Sequence, residues 1–420
     1  MSRSLAESDR ALLLSPEAPY PLHGGGSMRT ASLLHYLAER RPVHLVRFSE
    51  QPESEPGRDL PADLVDAVDL VLLPRHGRSA ITRASRNARR LAMGRPPLLD
   101  RFGQPETLRQ VERVTQSKRY SVAIAEHFWC AGYLPLLRRR AERVVLDLHN
   151  VESALHAACA RTEPWPQRLA HRIFQRHAER WERRLFPLFD LILTTSQQDA
   201  ERVLRISPTA RVAVYPNALP LRPAPVSQGS NQREVIAFSG NLEYHPNITA
   251  VRFFRTRIWP ELSRLRPGLV WKLIGKNEHA VRSLVQGDAR IELTGPVDDA
   301  LRELSGADVA IAPLLAGSGT RVKIMEAWAA RRAVVSTPIG AEGLPAEDGV
   351  NIVLARSATD WVGTVVRLLD DPASRARLGA AGRETFEREL CWPAAWERLD
   401  RSLGILQHAA WSRGGLVTAE

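Results

Sequence analysis

Short apolar runs, each closed by a polar turn, recur along the chain at spacings that leave room for a helix between several of them. In the first half they fall at Ala11 to Leu14, Val43 to Phe48, Val68 to Leu73, Ser121 to Ala125, Val144 to Leu148, Leu191 to Thr195 and Val212 to Tyr215. In the second half they fall at Val235 to Phe238, Val270 to Ile274, Ile291 to Thr294, Asp308 to Ala312, Ala333 to Ser336 and Asn351 to Leu354. Continuous rather than alternating hydrophobicity suits strands covered on both faces, as in parallel sheets. The pattern predicts an α/β chain of two Rossmann-like domains, doubly wound parallel sheets facing across a cleft in which a ligand lies at the strand C-terminal ends. A stretch rich in Pro, Ser, Gln and Gly, residues 219–232, reads as the linker. The expected bounds are 1–218 for one domain and 233–390 for the other. Past residue 355 the pattern is helical apart from breaks near Pro372 and Pro393, and residues 391–420 are expected to cross back to the first domain.

One segment breaks the apolar rhythm with chemistry. Residues 313–326 read P-L-L-A-G-S-G-T-R-V-K-I-M-E: a strand end, a glycine-rich turn, then two cations and a glutamate on the first turns of a helix. The amides of a helix start already carry partial positive charge, so Arg321 and Lys323 are unfavourable there unless an anion lies in front of them, and phosphate is the usual one. Glu326 falls three residues after Lys323 on the same face, and a carboxylate suits a pair of sugar hydroxyls. The plainer account is a helix capped by Ser318 or Thr320 with an i,i+3 ion pair between Lys323 and Glu326. Composition bears on the choice: lysine occurs only at 118, 272, 276 and 323, arginine filling the other basic positions.

Three further features stand out. The first strand runs into His23-Gly24-Gly25-Gly26-Ser27, a loop that lets backbone amides approach a ligand or else a turn capped by Ser27. It is not the G-x-G-x-x-G fingerprint, and no acidic residue ends the second strand. His149 closes a strand that reads D-L-H-N, a place where polar side chains serve ligands in open α/β sheets, although a lone histidine is more often structural. From Trp165 to Phe189, Leu169, Ile173, His177, Trp181 and Leu185 recur every four residues beside Arg168, Arg172, Arg176, Arg180 and Arg184. A basic amphipathic helix of this kind suits an anionic membrane surface, or packs its ridge on the sheet with its arginines in water.

Composition narrows the class. A chain of 420 residues, 44% hydrophobic and 25% charged, is that of a folded two-domain protein. No apolar run approaches the ~20 residues that cross a bilayer. The N-terminus lacks a signal-peptide core, and Cys130, Cys159 and Cys391 are scattered, so a reducing cytoplasm and no structural zinc are expected. No zinc-protease, Walker or strand-end D-x-D motif asks for a metal. The net charge of +11 lies mostly in residues 1–220, yet an arginine bias of this sort does not single out a partner, and no nucleic acid is expected.

Several motifs together resemble those of the retaining glycosyltransferases of family four. They are P-Y-P-x-x-G-G-G at 19–26, D-L-H-N-V-E-S at 147–153, T-S-Q-Q-D-A-E-R at 195–202 and P-N-A at 216–218. The second half adds F-S-G-N-L-E-Y-H-P-N at 238–247, L-I-G-K at 273–276, G-S-G-T-R-V-K-I-M-E-A-W-A at 317–329 and V-V-S-T-P-I-G-A-E-G-L at 334–344. The resemblance implies a GT-B fold, with a nucleotide-diphosphate sugar on the C-terminal domain and the acceptor mainly on the N-terminal one. By position, Glu326 resembles the glutamate that grips the nucleotide ribose, and Gly319 and Thr320 resemble the loop touching sugar and phosphate. His149 resembles the histidine beside the transferred sugar, and Gly24, Gly25 and Gly26 the acceptor-side loop. Ser318 stands where most members carry a second glutamate. Gly240 and Asn241 stand in the stretch where many carry an Arg and Lys diphosphate clamp, a role that Arg321 and Lys323 are then expected to take.

The resemblance thus implies a retaining, metal-independent hexosyl- or related glycosyltransferase of polysaccharide or glycoconjugate assembly, with His149 and Glu326 as its catalytic residues. Its donor is a nucleotide-diphosphate sugar, its acceptor a saccharide, a lipid-linked or another glycoconjugate acceptor, and it needs no cofactor. It is expected in the cytoplasm, with the inner face of the plasma membrane as a peripheral partner. Two alternatives stay open: a sugar-nucleotide epimerase or hydrolase on the same fold, and a non-catalytic binding protein with a degenerate site.

Overall fold

The computed structural model describes residues 9–22, 24–53, 55–74, 79–162, 165, 167–225, 233–316 and 321–408. The chain forms two compact units, one of residues 1–218 with 395–420 and one of residues 219–394.

In the first unit seven parallel strands lie in the order β3-β2-β1-β4-β5-β6-β7. They are β1 (Ala11–Ser15), β2 (Val43–Ser49), β3 (Ala67–Leu72), β4 (Tyr120–Glu126), β5 (Ala141–Leu148), β6 (Leu191–Thr194) and β7 (Val212–Val214). Ala11 to Leu14 and Val144 to Leu146 have no solvent exposure, as unbroken apolar runs require when helices cover both faces. The strand order reverses between β1 and β4, and that reversal opens a crevice at their C-terminal ends.

The second unit repeats the plan with six strands in the order β10-β9-β8-β11-β12-β13. They are β8 (Val235–Ser239), β9 (Val270–Ile274), β10 (Ile291–Leu293), β11 (Val309–Ala312), β12 (Ala333–Ser336) and β13 (Val353–Leu354). Its core is built around Trp259, Trp271 and Trp361, and its order reverses between β8 and β11.

Three local expectations change. The first helix, Gly25–Ala38, has Gly24 rather than Ser27 at its N-cap; Ser27 lies inside the helix and its Oγ donates to Gly24 O at 3.1 Å. The helix after β11, Val322–Ala329, has Arg321 at its N-cap with no side-chain cap, and Ser318 and Thr320 lie outside the described residues. The arginine-rich helix spans Gln167–Leu185, and its predicted ridge does not run down one side. Leu169 is 48% exposed and Trp165 just before the helix 78%, whereas Trp181 and Leu185 pack on the core of the first unit. Residues spaced by four drift about 40° per step around a helix of 3.6 residues per turn, so such a line winds from one face to another. No described helix is long and apolar enough to cross a membrane.

Candidate active site

Each sheet places a cluster of polar side chains at its own switch point. In the first unit the ends of β1, β4 and β5 bring together Glu17, Glu126, His127, Asp147 and His149. Glu126 and Asp147 are register partners across β4 and β5, and both side chains are fully buried. The first helix supplies their counterparts. Arg29, itself fully buried, donates from Nε to Asp147 Oδ2 at 2.8 Å and from Nη2 to Oδ1. Its Nη1 donates to Tyr215 O and, at 3.1 Å, to Asn217 Oδ1, and Thr30 Oγ1 donates to Glu126 Oε2 at 3.0 Å. Burial by itself would raise the Asp147 carboxyl, but Arg29 and His149 hold it well below the usual carboxylate range.

The two histidines face each other in this pocket, ring centroids 3.8 Å apart, and His127 stacks on Trp129 at 4.1 Å. His127 has φ of 61°, a left-handed backbone that costs a non-glycine residue about 1–3 kcal/mol and that its surroundings must enforce. The amide of His127 donates to Asp147 O at 2.8 Å, which ties this turn to β5. Burial works against charge on His149, yet Asp147 and Glu126 outweigh it and hold the imidazole up at about 9; burial and the nearby His149 push His127 down. The Glu17 carboxylate lies over Gly26 at the start of the first helix, so the glycine loop already has an anion of its own.

In the second unit the loop after β8 meets the helix after β11. Lys323 Nζ donates to Ser239 O at 3.0 Å and to Asn247 Oδ1 at 2.7 Å and sits 4.1 Å from the centre of the Phe238 ring. Glu326 Oε2 accepts from Ser239 Oγ at 3.0 Å. Burial pushes the Lys323 ammonium down to about 7 and the Glu326 carboxyl up. Among the described residues no ion pair joins Lys323 to Glu326, so the plainer i,i+3 account of this pair does not hold. Gly240 has φ of 139° and its carbonyl lies where a Cβ on Gly275 would fall, so the loops after β8 and β9 cross as closely as backbone allows.

Of the residues read from sequence, the structure brings Lys323, Glu326, Gly240 and Asn241 to one switch point. Asn241 Oδ1 accepts from Asn277 Nδ2 at 2.9 Å, fixing the loop. Arg321 is buried and turned toward the segment after β12, donating to Ile339 O at 3.0 Å with Glu342 Oε2 at 3.8 Å. Ser318, Gly319 and Thr320 lie outside the described residues. His149 and Gly24 to Gly26 lie at the switch point of the first unit. Sequence reasoning missed Glu17, Arg29, Glu126, His127 and Asp147, and in the second unit Ser239 and Asn247. The available signal was the pair of strand endings A-E-H at 125–127 and D-L-H at 147–149, acids and histidines closing two buried apolar runs.

Two Rossmann-like units of this topology make a GT-B fold, and solved structures of that fold superpose on the chain. The sucrose-phosphate synthase of Thermosynechococcus elongatus matches with a TM-score of 0.68 at 17% identity, over 95% of this chain and 99% of that one. WaaG, a glycosyltransferase involved in lipopolysaccharide biosynthesis, matches with a TM-score of 0.63 at 12% identity, over 94% and 100%. Anabaena HepE, solved with UDP and glucose, matches with a TM-score of 0.61 at 14% identity, over 94% and 100%. Residues 233–371 match the family model described as glycosyl transferases group 1, which supports sugar transfer. An uncharacterized 44.6 kDa protein in the cps region of Klebsiella pneumoniae is 21% identical over 368 residues, 82% of this chain and 87% of that one.

Proposed function

We propose that the chain is a retaining glycosyltransferase that moves a sugar from a nucleotide-diphosphate sugar to a saccharide, lipid-linked or other glycoconjugate acceptor. The observation that carries this reading is the Lys323 and Glu326 pair at the β8/β11 switch point, held by Ser239 and Asn247 rather than by each other. Lys323 uses two of its three protons on the protein and keeps one for a ligand. The ammonium takes the donor diphosphate, where negative charge builds as the sugar leaves, and a fixed cation there is stronger in the transition state than in the ground state. Glu326 takes the ribose hydroxyls. No divalent ion is needed at the diphosphate in this arrangement. The first unit takes the acceptor, with His149 and the Gly24 to Gly26 loop beside the reacting sugar.

A thermal-shift screen across nucleotide sugars tests the donor: a ligand at 100 times its Kd adds about 2.7 kcal/mol and raises Tm. The selected donor is then incubated with and without acceptor. Turnover that needs no acceptor would instead identify an epimerase or hydrolase, and product with inverted anomeric configuration would remove retention.

His149→Ala is expected to lower kcat far more than it weakens donor binding, because the residue lies with the acceptor half of the chemistry. Steady-state kinetics beside calorimetric donor titration measure both; an unchanged kcat returns His149 to a structural role.

The exposed Trp165 and Leu169 beside Arg172, Arg176 and Arg180, all solvent-facing, support peripheral attachment to an anionic membrane face at which a lipid-linked acceptor is presented. Each arginine near such a surface contributes about 1 kcal/mol. Co-sedimentation with phosphatidylserine vesicles is expected to fall in the triple variant Arg172→Gln, Arg176→Gln, Arg180→Gln. Equal partitioning of variant and wild type sinks this part of the reading.

A further inference from the structure

At the β8/β11 switch point a cation largely withdrawn from water has no anion beside it. Lys323 Nζ meets the Ser239 carbonyl at 3.0 Å, Asn247 Oδ1 at 2.7 Å and the face of the Phe238 ring at 4.1 Å, all three neutral. Glu326, one turn along the same helix, accepts from Ser239 Oγ instead, and no ion pair joins Lys323 to a carboxylate among the described residues. The contrast with other lysines of this chain is direct. Lys118 and Lys272 each lie by an acid, Asp69 at 3.6 Å and Glu303 at 3.3 Å, as charges drawn out of water ordinarily do.

Asn247 is the side chain that holds this lysine. It is 5% exposed and sits in the first turn of the helix His245–Arg257, where its Nδ2 donates to Asn241 O at 2.7 Å. That bond clamps the amide with its oxygen toward Lys323, because the reversed amide would set an NH2 against the ammonium and an oxygen against the Asn241 carbonyl. A Cβ on Gly240 would stand 3.1 Å from both Asn247 Nδ2 and Lys323 Nζ, so the turn after β8 walls the pair in. The choice of an amide has a consequence for charge. An aspartate of the same shape at 247 would pair with the lysine and neutralise it, whereas an amide oxygen aims the ammonium and leaves it a cation in want of a partner.

We propose that Asn247 is the positioning residue of an anion site at this switch point: its clamped amide oxygen orients the Lys323 ammonium without cancelling its charge, so that an incoming phosphate completes the pair. Two fixed acceptors set the rotation of the ammonium and therefore the direction of its third N–H before a ligand arrives. The inference rests on the proposed function only for the identity of that anion, the donor diphosphate. The charged groups acting on Lys323 are Glu326, which favours its charge, and Arg321, which opposes it; burial outweighs both and holds the ammonium down at about 7.

The test uses the scarcity of lysine. Full-length, tag-free protein labelled with 13C-lysine carries labels only at 118, 272, 276 and 323, and Lys323→Met identifies the signal that matters. Without ligand, Asn247→Asp is expected to move the titration of Lys323 upward by about 1–3 pH units and the apolar Asn247→Leu to move it downward, the other three lysines staying as they were. A side chain that merely packs would not shift one lysine in opposite directions. Sodium pyrophosphate followed at pH 6 on the Lys323 signal is expected to bind Asn247→Asp about tenfold or more weakly than wild type, the least that one charge-assisted hydrogen bond contributes. A Lys323 titration in Asn247→Asp that coincides with wild type, or wild-type pyrophosphate affinity in that variant, would overturn the proposal. Should Asn247→Leu fail to fold, the aspartate variant, which keeps the shape of the side chain, decides alone. Wild-type protein whose Lys323 signal ignores both pyrophosphate and nucleotide sugars would overturn the donor reading instead, and the lysine titrations, which need no ligand, still decide the role of Asn247.

Discussion

Lys323→Ala and Glu326→Ala are each expected to weaken nucleoside-diphosphate binding by roughly 10- to 150-fold, the equivalent of one charge-assisted hydrogen bond of about 1.5–3 kcal/mol. The two variants are expected to fail differently. Lys323→Ala lowers the preference for nucleoside diphosphate over the bare nucleoside, since only the ammonium meets phosphate, whereas Glu326→Ala weakens both. The effect on stability is smaller, about 1 kcal/mol for each hydrogen bond lost to Ser239 or Asn247. Calorimetric titration of both ligands into folded variants reads the difference, and wild-type affinity in both would move the donor site elsewhere.

The same lysine gives donor binding a pH dependence of fixed sign. Burial holds the ammonium down at about 7 in the free protein, and a bound diphosphate favours its charged form. Below pH 7 the lysine is charged in both states and affinity is flat. Above pH 7 the free lysine is neutral, binding must take up a proton, and affinity falls toward tenfold per pH unit until the pKa of the complex is reached. A nucleotide sugar is the ligand to use, because its diphosphate has no terminal phosphate to titrate. Lys323→Ala removes the slope; a slope that survives in that variant belongs to another group.

What the sequence disclosed follows from how locally each feature is encoded. Strands β1 to β13 were legible because a strand buried on both faces needs an unbroken apolar run, and such runs are local. Lys323 and Glu326 were legible because they share a single turn with a glycine-rich loop. Their fixing partners were not: Ser239 and Asn247 lie 84 and 76 positions from Lys323, and only the adjacency of β8 and β11 brings them in. Arg29 and Asp147 are 118 positions apart, and each looked unremarkable in its own segment. The helix Gln167–Leu185 shows the opposite failure, a period read as four where the helix keeps 3.6.

Arg29→Met is expected to destabilise the first unit by about 3–5 kcal/mol, the usual consequence of leaving one member of a buried ion pair without its partner. Neither side chain has any exposure, so water cannot take the place of the guanidinium around Asp147. Asp147→Asn is expected to lose a comparable amount by stranding the Arg29 charge. The double variant Arg29→Met, Asp147→Asn is expected to be more stable than the sum of the two losses, because no charge is then left unpaired. Hydrogen exchange of the β4 and β5 amides reads this within the first unit, free of the behaviour of the second. Single variants that lose less than about 1 kcal/mol, or a double variant at the simple sum, would mean that the carboxylate under His149 is balanced by something other than Arg29. The expected coupling instead makes Arg29 the residue that keeps Asp147 ionised against burial, and so keeps the β1/β4 switch point acidic beneath its two histidines.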